Sequence, residues 1–503
     1  MKDSPGTAAP PPRLASAPAL LGALALWLLA TLGLRPLLLP DEGRYAEVAR
    51  AMWQAGALDA WLVPTLNGLP FFHKPPLLYW LDAAAMQLLG AHEFAARFGA
   101  AVGAWAMGAT LFLAMRRWHG ARIARIALGV LATTPFFFVG GQYANHDMLV
   151  GGLITAAVLA LARAVDEPPR VDLRWLVAGW VLCALAMLAK GLIGIVLPAL
   201  VIGPWLMVQG RWRQLLKLLH PLGLAAFALV GLPWFIAMQQ RYPGFFDYFV
   251  IEQHFRRFEA STFNNVHGAW FFVVVLPLAT LPWSVWAPAA FRRAWGVRSP
   301  TTLLYAWWVI AIVGFFSIPS SKLVGYALPA LAPWCALLAL AIAGGNARLA
   351  CRVMGASALA CVAIVGFVAW KAPQSNQALA LTLRAAMAPA DTVVMVDQYL
   401  YDLPFYARLK RPVVIAADWA DPQIARHDNW RKEVFDAGRF DPALARELLR
   451  PLGEVDTLAC GAGAVWFIVQ ADRAGRVSGQ PGATRAFADP HAELWRVPGR
   501  RCP

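Results

Sequence analysis

Residues 17–45 read APALLGALALWLLATLGLRPLLLPDEGRY, an uncharged run from Ala17 to Leu34 that meets Arg35 and then two adjacent carboxylates, Asp41 and Glu42. A run of this length and composition is a membrane helix, since ~20 apolar residues at 1.5 Å each cross ~30 Å of hydrocarbon. It is too long for the apolar part of a signal peptide, and no small-residue cleavage site follows it, so it is read as a retained span. Ten further runs of the same kind follow: Ala100–Met115, Ile126–Gly141, Met148–Ala162, Trp175–Ala189, Gly191–Gly210, Leu218–Gln239, Gly268–Ala290, Leu303–Pro319, Leu323–Asn346 and Val353–Trp370. Some cross only with flanking residues or tilt. The expected fold is a polytopic α-helical membrane protein with about eleven to thirteen transmembrane helices.

Composition agrees and excludes other classes. The 503 residues are 59% hydrophobic and 15% charged, whereas soluble domains carry about 25% charged residues. The net charge of +15 raises the question of nucleic acid, but its distribution answers it. The last 133 residues hold 17 basic and 15 acidic residues, and the first 370 hold 27 and 14. The excess is therefore dispersed through apolar sequence, where no basic face for a duplex assembles.

Basic residues set the orientation. With the N-terminus cytoplasmic, the inner loops carry Arg116, Arg117, Arg122, Arg125, Arg163, Arg170, Arg174, Arg211, Arg213, Lys217, Arg292, Arg293, Arg298, Arg348 and Arg352. The outer loops then carry few: Arg44, Arg50, Lys74, Lys190, Arg241, Arg256, Arg257 and Lys322. An odd number of spans places residues 371–503 outside. Thr392–Val396, Val413–Ala416 and Val465–Val469 read there as buried strands and Pro442–Leu449 as a helix, giving a small α/β domain. Loop 40–94 is too long to be structureless, and Glu42–Gln54 and Pro76–Leu89 have the spacing of helices lying at the membrane surface. Cys183, Cys335, Cys351 and Cys361 read as small buried thiols. Cys460 and Cys502 fall in the tail, where both pairing and free thiols are open.

The residues able to do chemistry sit in separate stretches at the outer boundary. Pro40-Asp41-Glu42-Gly43-Arg44-Tyr45 puts two carboxylates where they are costly unless used or hydrated, although capping of the following helix explains them as well. In His73-Lys74-Pro75-Pro76 two prolines fix the lysine in extended chain ahead of a helix, so its ammonium suits either a phosphate or a headgroup belt with Tyr79 and Trp80. Glu252-Gln253-His254-Phe255-Arg256-Arg257 places guanidiniums, good phosphate forks, on the side where cations are scarce. Ser321-Lys322 to Tyr326, Asn145-His146-Asp147 and Lys190-Gly191 add acids and bases at similar depth. His73 with Asp41 or Glu42 is the one candidate metal cluster, so a divalent metal stays open while no cofactor is required. Cations against a leaving phosphate and a carboxylate near an acceptor are what a lipid-phosphate site needs. The tail segment Tyr399–Tyr406 has aromatics fit for a sugar face, but core packing is the stronger reading.

Taken in order, Pro40–Tyr45, Asn67-Gly68 with His73–Trp80, the Asp147 element, Lys190-Gly191, Glu252-Gln253-His254 with Arg257-Phe258, and Ser321–Tyr326 resemble the aminoarabinose transferases. These are GT-C glycosyltransferases that use a polyprenyl-phosphate sugar and are related to protein O-mannosyltransferases. The resemblance runs over about residues 15–345. It implies a GT-C transmembrane catalytic domain at 1–370, with 40–94 as its first periplasmic loop, and a periplasmic domain at 371–503, in a bacterial inner membrane. It implies transfer of an aminoarabinose-type sugar from undecaprenyl phosphate to lipid A or another glycan, with membrane lipids as surroundings and no nucleic acid. Asp41 is then the acid at the reaction centre, and Lys74, Arg257, Lys322 and Tyr326 hold the donor phosphate. Glu42, Arg44, Tyr45, Asp147, Lys190 and Arg256 support the substrates. His73 stands where the family has an acid, which weakens the case for a metal. The alternatives are another sugar passed to a different glycan or a protein hydroxyl, and a lipid or sugar transporter. A transporter is disfavoured by the lack of internal repeats and of ionisable residues at mid-membrane depth.

Overall fold

The apolar runs become helices because in hydrocarbon a helix satisfies every backbone donor and acceptor within its own segment. In the computed structural model, which describes residues 16–256, 265–297, 299–371, 375–461 and 463–500, seven helices are long and apolar enough to span a membrane: Phe98–Ala132, His146–Ala164, Leu173–Lys190, Pro221–Arg241, Pro300–Ser317, Val324–Ile342 and Ala347–Lys371. Phe271–Ala279 and Trp283–Gly296 make an eighth if counted as one span bent by 109°. Pro277 and Pro282 lie at that bend, where each removes a backbone donor. Ala17–Leu29 and Ile193–Val208 are apolar but shorter. Within Phe98–Ala132 the backbone leaves helical geometry at Gly120, φ 85° and ψ 166°, so this stretch is two helices meeting at a kink, which carry the run Ala100–Met115 and the first part of the run Ile126–Gly141. The chain is a multi-span membrane protein.

The His146–Ala164 helix is the hub of the bundle, packed against Phe98–Ala132 and Leu173–Lys190 and buried on nearly every side. Its approach to Phe98–Ala132 depends on missing side chains. A Cβ on Gly152 would collide with the Gly103 backbone, and one on Gly103 with the backbone of Met148 and Leu149. Such small-residue contacts let helices close on one another where the surrounding lipid supplies no hydrophobic drive.

Ahead of the bundle, the two helices expected in this loop are present as Asp41–Ala55 and Leu77–Leu89, and between them lies a tight hairpin of β1 (Thr65–Leu66) and β2 (Leu69–Pro70). Asn67 at φ 53° and Gly68 at φ 79° supply its turn, as an Asn-Gly pair does in a two-residue hairpin. After the last span comes a six-stranded sheet of β3 (Thr392–Val396), β4 (Val414–Ala417), β5 (Leu449–Pro451), β6 (Val465–Gln470), β7 (Thr484–Ala488) and β8 (Ala492–Val497), in the order β5-β4-β3-β6-β8-β7. β3, β4, β5 and β6 run parallel, with Thr392 opposite Val465, and β8 and β7 close one edge antiparallel, with Phe467 opposite Trp495. The three expected strands and the Pro442–Leu448 helix are present. Tyr399, Tyr401, Phe405 and Tyr406 are buried, the packing role expected of that segment. Of the cysteines, Cys183, Cys335 and Cys361 are buried and Cys351 is exposed. The reading of Cys351 as a buried thiol is thus corrected: it faces outward near the start of a helix with few protein neighbours. Cys460 is disulfide-bonded, and Cys502 lies outside the described residues.

The sheet domain is docked on the hairpin and on the Asp41 helix. Asn67 forms two bonds with one residue of the domain, Nδ2 to the Val413 carbonyl at 2.9 Å and the Val413 N–H to Oδ1 at 2.8 Å. The Leu37 N–H donates to the Tyr406 hydroxyl at 2.8 Å, and Gly43 leaves room for the Asp402 backbone, which a Cβ would meet at 2.9 Å.

Candidate active site

Asp41 and Glu42 open the same helix and are used in opposite ways. Glu42 is fully buried. It accepts from the Leu38 N–H at 2.8 Å and the Ala144 N–H at 2.9 Å, and from Arg97 Nε at 2.8 Å and Arg35 Nη2 at 3.0 Å. Burial by itself pushes this carboxyl up, and the guanidiniums of Arg97 and Arg35 outweigh it and hold the group at about 2. Arg97 spends its other donors on the carbonyls of Leu32, Arg35 and Pro36. The node clamps the chain leaving the first helix to the head of the Phe98–Ala132 helix. Glu42 is therefore a brace, and its oxygens are not available to a metal.

Asp41 keeps a side chain 29% exposed. Arg44, one turn along, pairs with it, and Asn145 Nδ2 donates to its other oxygen at 3.3 Å. Arg44 also pairs with Glu433 of the sheet domain, which accepts in addition from the Tyr401 hydroxyl. The guanidinium lies 4.8 Å from the Tyr45 ring centroid and 5.5 Å from that of Tyr401. Burial disfavours the charge on Arg44, and Glu433, Tyr45 and Asp41 more than restore it, so the cation is held well above its ordinary range.

Three consecutive residues join this centre to a second one. Asn145 reaches Asp41 and also caps the hub helix by accepting from the Asp147 N–H at 2.8 Å. His146 is buried edge-on against Tyr45 at 4.6 Å and Tyr79 at 5.2 Å, within electrostatic reach of Lys74, Lys190 and Arg44. Asp147 pairs with Lys190, whose ammonium lies 4.8 Å from the Tyr326 ring centroid. A Cβ on Gly325 would run into the Asp147 carboxylate, so a side chain there would displace that carboxylate. One helix start thus gathers Asp41, Arg44, Tyr45, Lys74, Asp147, Lys190 and Tyr326, which come from five stretches of sequence.

The remaining expectations fare differently. Lys74 sits half-buried immediately before the Pro-Pro start of Leu77–Leu89. Lys322 is 3% exposed and donates to the His267 carbonyl at 2.8 Å and to the Pro319 carbonyl. The loop 265–267 is thereby fastened to 320–322, where His267 N–H meets the Ser320 carbonyl at 3.1 Å. Arg257 and the side chain of Arg256 lie outside the described residues; Glu252, before them, approaches Arg439 of the sheet domain at 3.7 Å. His73 is stacked on Phe71 at 4.5 Å. Among the described residues no group of three or more His, Cys, Asp or Glu is placed to hold a metal ion, and of the two acids considered with His73, Glu42 is taken up by its two arginines.

Comparison with known proteins relates the chain to glycosyltransferases in sequence and in fold. A family model described as dolichyl-phosphate-mannose-protein mannosyltransferase matches residues 73–236. An undecaprenyl phosphate-α-4-amino-4-deoxy-L-arabinose arabinosyl transferase of Aeromonas salmonicida is 36% identical over 322 residues, which is 62% of this chain and 57% of that protein. The chain thus spans under two thirds of the length of the curated relatives it matches. The crystal structure of ArnT from Cupriavidus metallidurans bound to undecaprenyl phosphate superimposes with a TM-score of 0.82 at 24% identity, covering 96% of this chain and 98% of that one. The fold is that of ArnT. The oligosaccharyltransferase AglB of Archaeoglobus fulgidus shares it more distantly, with a TM-score of 0.52 at 14% identity over 90% of this chain and 69% of that one. The resemblance read from the ordered motifs therefore holds in sequence and in three dimensions.

Three residues of the site were missed in the sequence reading. Arg35 and Arg97 each stand alone at the edge of an apolar run, where a solitary arginine looks like an interface anchor. Glu433 was hidden in a tail of soluble composition. The adjacency of Arg35 and Glu42 across a proline-bounded turn was the available signal for the first node; for Glu433 none was available.

Proposed function

We propose that this chain is an integral-membrane glycosyltransferase that moves a sugar, most simply aminoarabinose, from undecaprenyl phosphate to lipid A at the periplasmic face of a bacterial inner membrane. The observation that carries the reading is the placement of the exposed carboxylate of Asp41, fixed by Arg44 and Asn145, beside the Lys74, Asp147–Lys190 and Tyr326 cluster at the head of one buried helix. The relatives named above and the undecaprenyl phosphate bound by the similar ArnT support the donor class.

In the reaction the bond from the anomeric carbon to the donor phosphate oxygen breaks and a bond to an acceptor oxygen forms. The departing lipid phosphate gains negative charge, and Lys74, with Arg257, Tyr326 and Lys322, is assigned to receive it. Lys322 does so by exchanging its loop carbonyls for phosphate oxygens. A lipid A phosphate is already an anionic nucleophile, so for that acceptor Asp41 orients the substrates or binds the amino group of the sugar; for a hydroxyl acceptor it takes the proton. The Asp147–Lys190 pair keeps a cation at the site without leaving it uncompensated. The sheet domain, periplasmic in this reading, covers Asp41 from outside through Glu433.

The match of residues 73–236 to a protein mannosyltransferase model favours a second reading, in which the acceptor is a hydroxyl. Mass spectrometry of lipid A and of the polyprenyl-phosphate sugar pool, from cells with and without the gene, separates the two. Loss of aminoarabinose from lipid A is expected. Unchanged lipid A with an accumulating donor sugar discards that acceptor and keeps the reaction class.

A further inference from the structure

The opposite membrane boundary carries a site of different chemistry. The Phe98–Ala132 helix begins beside Glu42 through Arg97, and its stretch from Phe98 to the Gly120 break rises about 33 Å at 1.5 Å per residue, close to the thickness of the hydrocarbon layer. Just beyond that break a cavity of about 230 Å³ opens, lined by Arg122, Arg125, Val130, Trp283, Cys351 and Met354 among others. Its lining is mostly apolar, with Arg122 and Arg125 among the lining residues. Arg122 Nη2 donates to the Ala343 carbonyl at 3.4 Å and Arg125 Nε to the Ala121 carbonyl at 3.1 Å, each using one of five donors. Arg293 stands beside the same turn, its Nη1 3.7 Å from where a Cβ on Gly344 would lie. No carboxylate is among the lining residues. Neighbouring arginines on this face are treated differently: Arg117 and Arg163 are neutralised by Asp166 and Glu167.

We propose that this cavity binds an anionic phospholipid of the leaflet opposite the Asp41 site. Its phosphate is held between Arg122 and Arg125, and the start of an acyl chain rests on Val130, Trp283 and Met354. Guanidinium forks match phosphate oxygens, and basic pockets between membrane helices favour anionic headgroups. A mostly apolar lining at the hydrocarbon edge selects a lipid over a free anion. The assignment rests on the membrane-spanning fold and is independent of the proposed sugar transfer.

Cys351 lines the cavity and is exposed, whereas Cys183, Cys335 and Cys361 are buried, so alkylation of Cys351 reports occupancy. The full chain in phosphatidylcholine nanodiscs is treated with a maleimide while phosphatidylglycerol is titrated in, and the Cys351 peptide is quantified by mass spectrometry. Phosphatidylglycerol is expected to slow the reaction, while phosphatidylcholine alone and inorganic phosphate leave it fast. In an Arg122→Ala, Arg125→Ala double variant the protecting concentration should rise by roughly fivefold for each arginine removed, with Cys335 and Cys361 still unreactive as a check of folding. Equal protection by phosphatidylcholine, protection by inorganic phosphate alone, or unchanged protection in the folded double variant overturns the proposal. The three arms on the unaltered chain decide it even where the double variant does not fold.

Discussion

Asp41 and Glu42 are neighbours in sequence, yet Glu42 is walled in by two guanidiniums and two backbone donors while Asp41 keeps part of its carboxylate open to solvent. A carboxylate that is fully satisfied on every lone pair holds structure; one that is held in place but left reachable is suited to reaction. Their difference comes from one step of helix rotation, which turns Glu42 toward Arg35 and Arg97 and Asp41 toward Asn145 and Arg44.

The sharpest way to break this comparison is to neutralise each acid in turn. Asp41→Asn should lower transfer by roughly 10²–10⁴-fold while the protein elutes and melts like the parent; near-normal transfer in membranes at matched expression would remove Asp41 from the reaction. Glu42→Gln should do the reverse, costing about 3–5 kcal/mol because two buried guanidiniums lose their counter-charge, seen as a lowered melting temperature in detergent.

The same node predicts a pH dependence. The folded-state value of Glu42 is depressed, from 4.5 to about 2, so its contribution is complete above pH 4.5 and is lost as pH falls toward 2. Melting temperature should fall across that window in the parent, and Glu42→Gln should be flatter there. A parent no steeper than the variant would mean the node is not charged as described.

Smaller effects test how the sheet domain serves Asp41. Glu433→Gln should reduce transfer by roughly tenfold, through loss of a hydrogen bond between charged groups that holds Arg44, and should also lower the melting temperature, because the buried Arg44 guanidinium loses its main counter-charge. Asn67→Ala removes both bonds to Val413 and should cost about 1–3 kcal/mol of docking. Faster amide exchange confined to Val413 and the hairpin checks it, and exchange unchanged at Val413 would show that the hairpin does not hold the domain.

Much of this was legible in the sequence for physical reasons. Apolar runs reveal membrane helices because hydrocarbon tolerates little else, and the two helices of loop 40–94 and three strands showed through their periodicity. Asp41, Lys74, Asp147 and Lys190 stood out because charges at a lipid boundary are costly. Lys322 was placed at that boundary as well, but that its ammonium is bound by its own loop's carbonyls depends on how residues 265–267 fold back on 320–322. The break at Gly120 falls in the charged stretch that separates the runs Ala100–Met115 and Ile126–Gly141, so its place was legible, whereas the positive φ of the glycine that makes it was not.

Sequence by itself determined a membrane enzyme-like chain with an α/β tail and the set of chemically suspect residues, because composition and local periodicity are properties of the chain alone. Tertiary structure decided which of two adjacent acids is a brace, that Asn145, His146 and Asp147 link two charged centres, and that Glu433 reaches the first of them. Those choices depend on which side chains meet across hundreds of residues, and burial, which sets the worth of every charge, exists only once they have met.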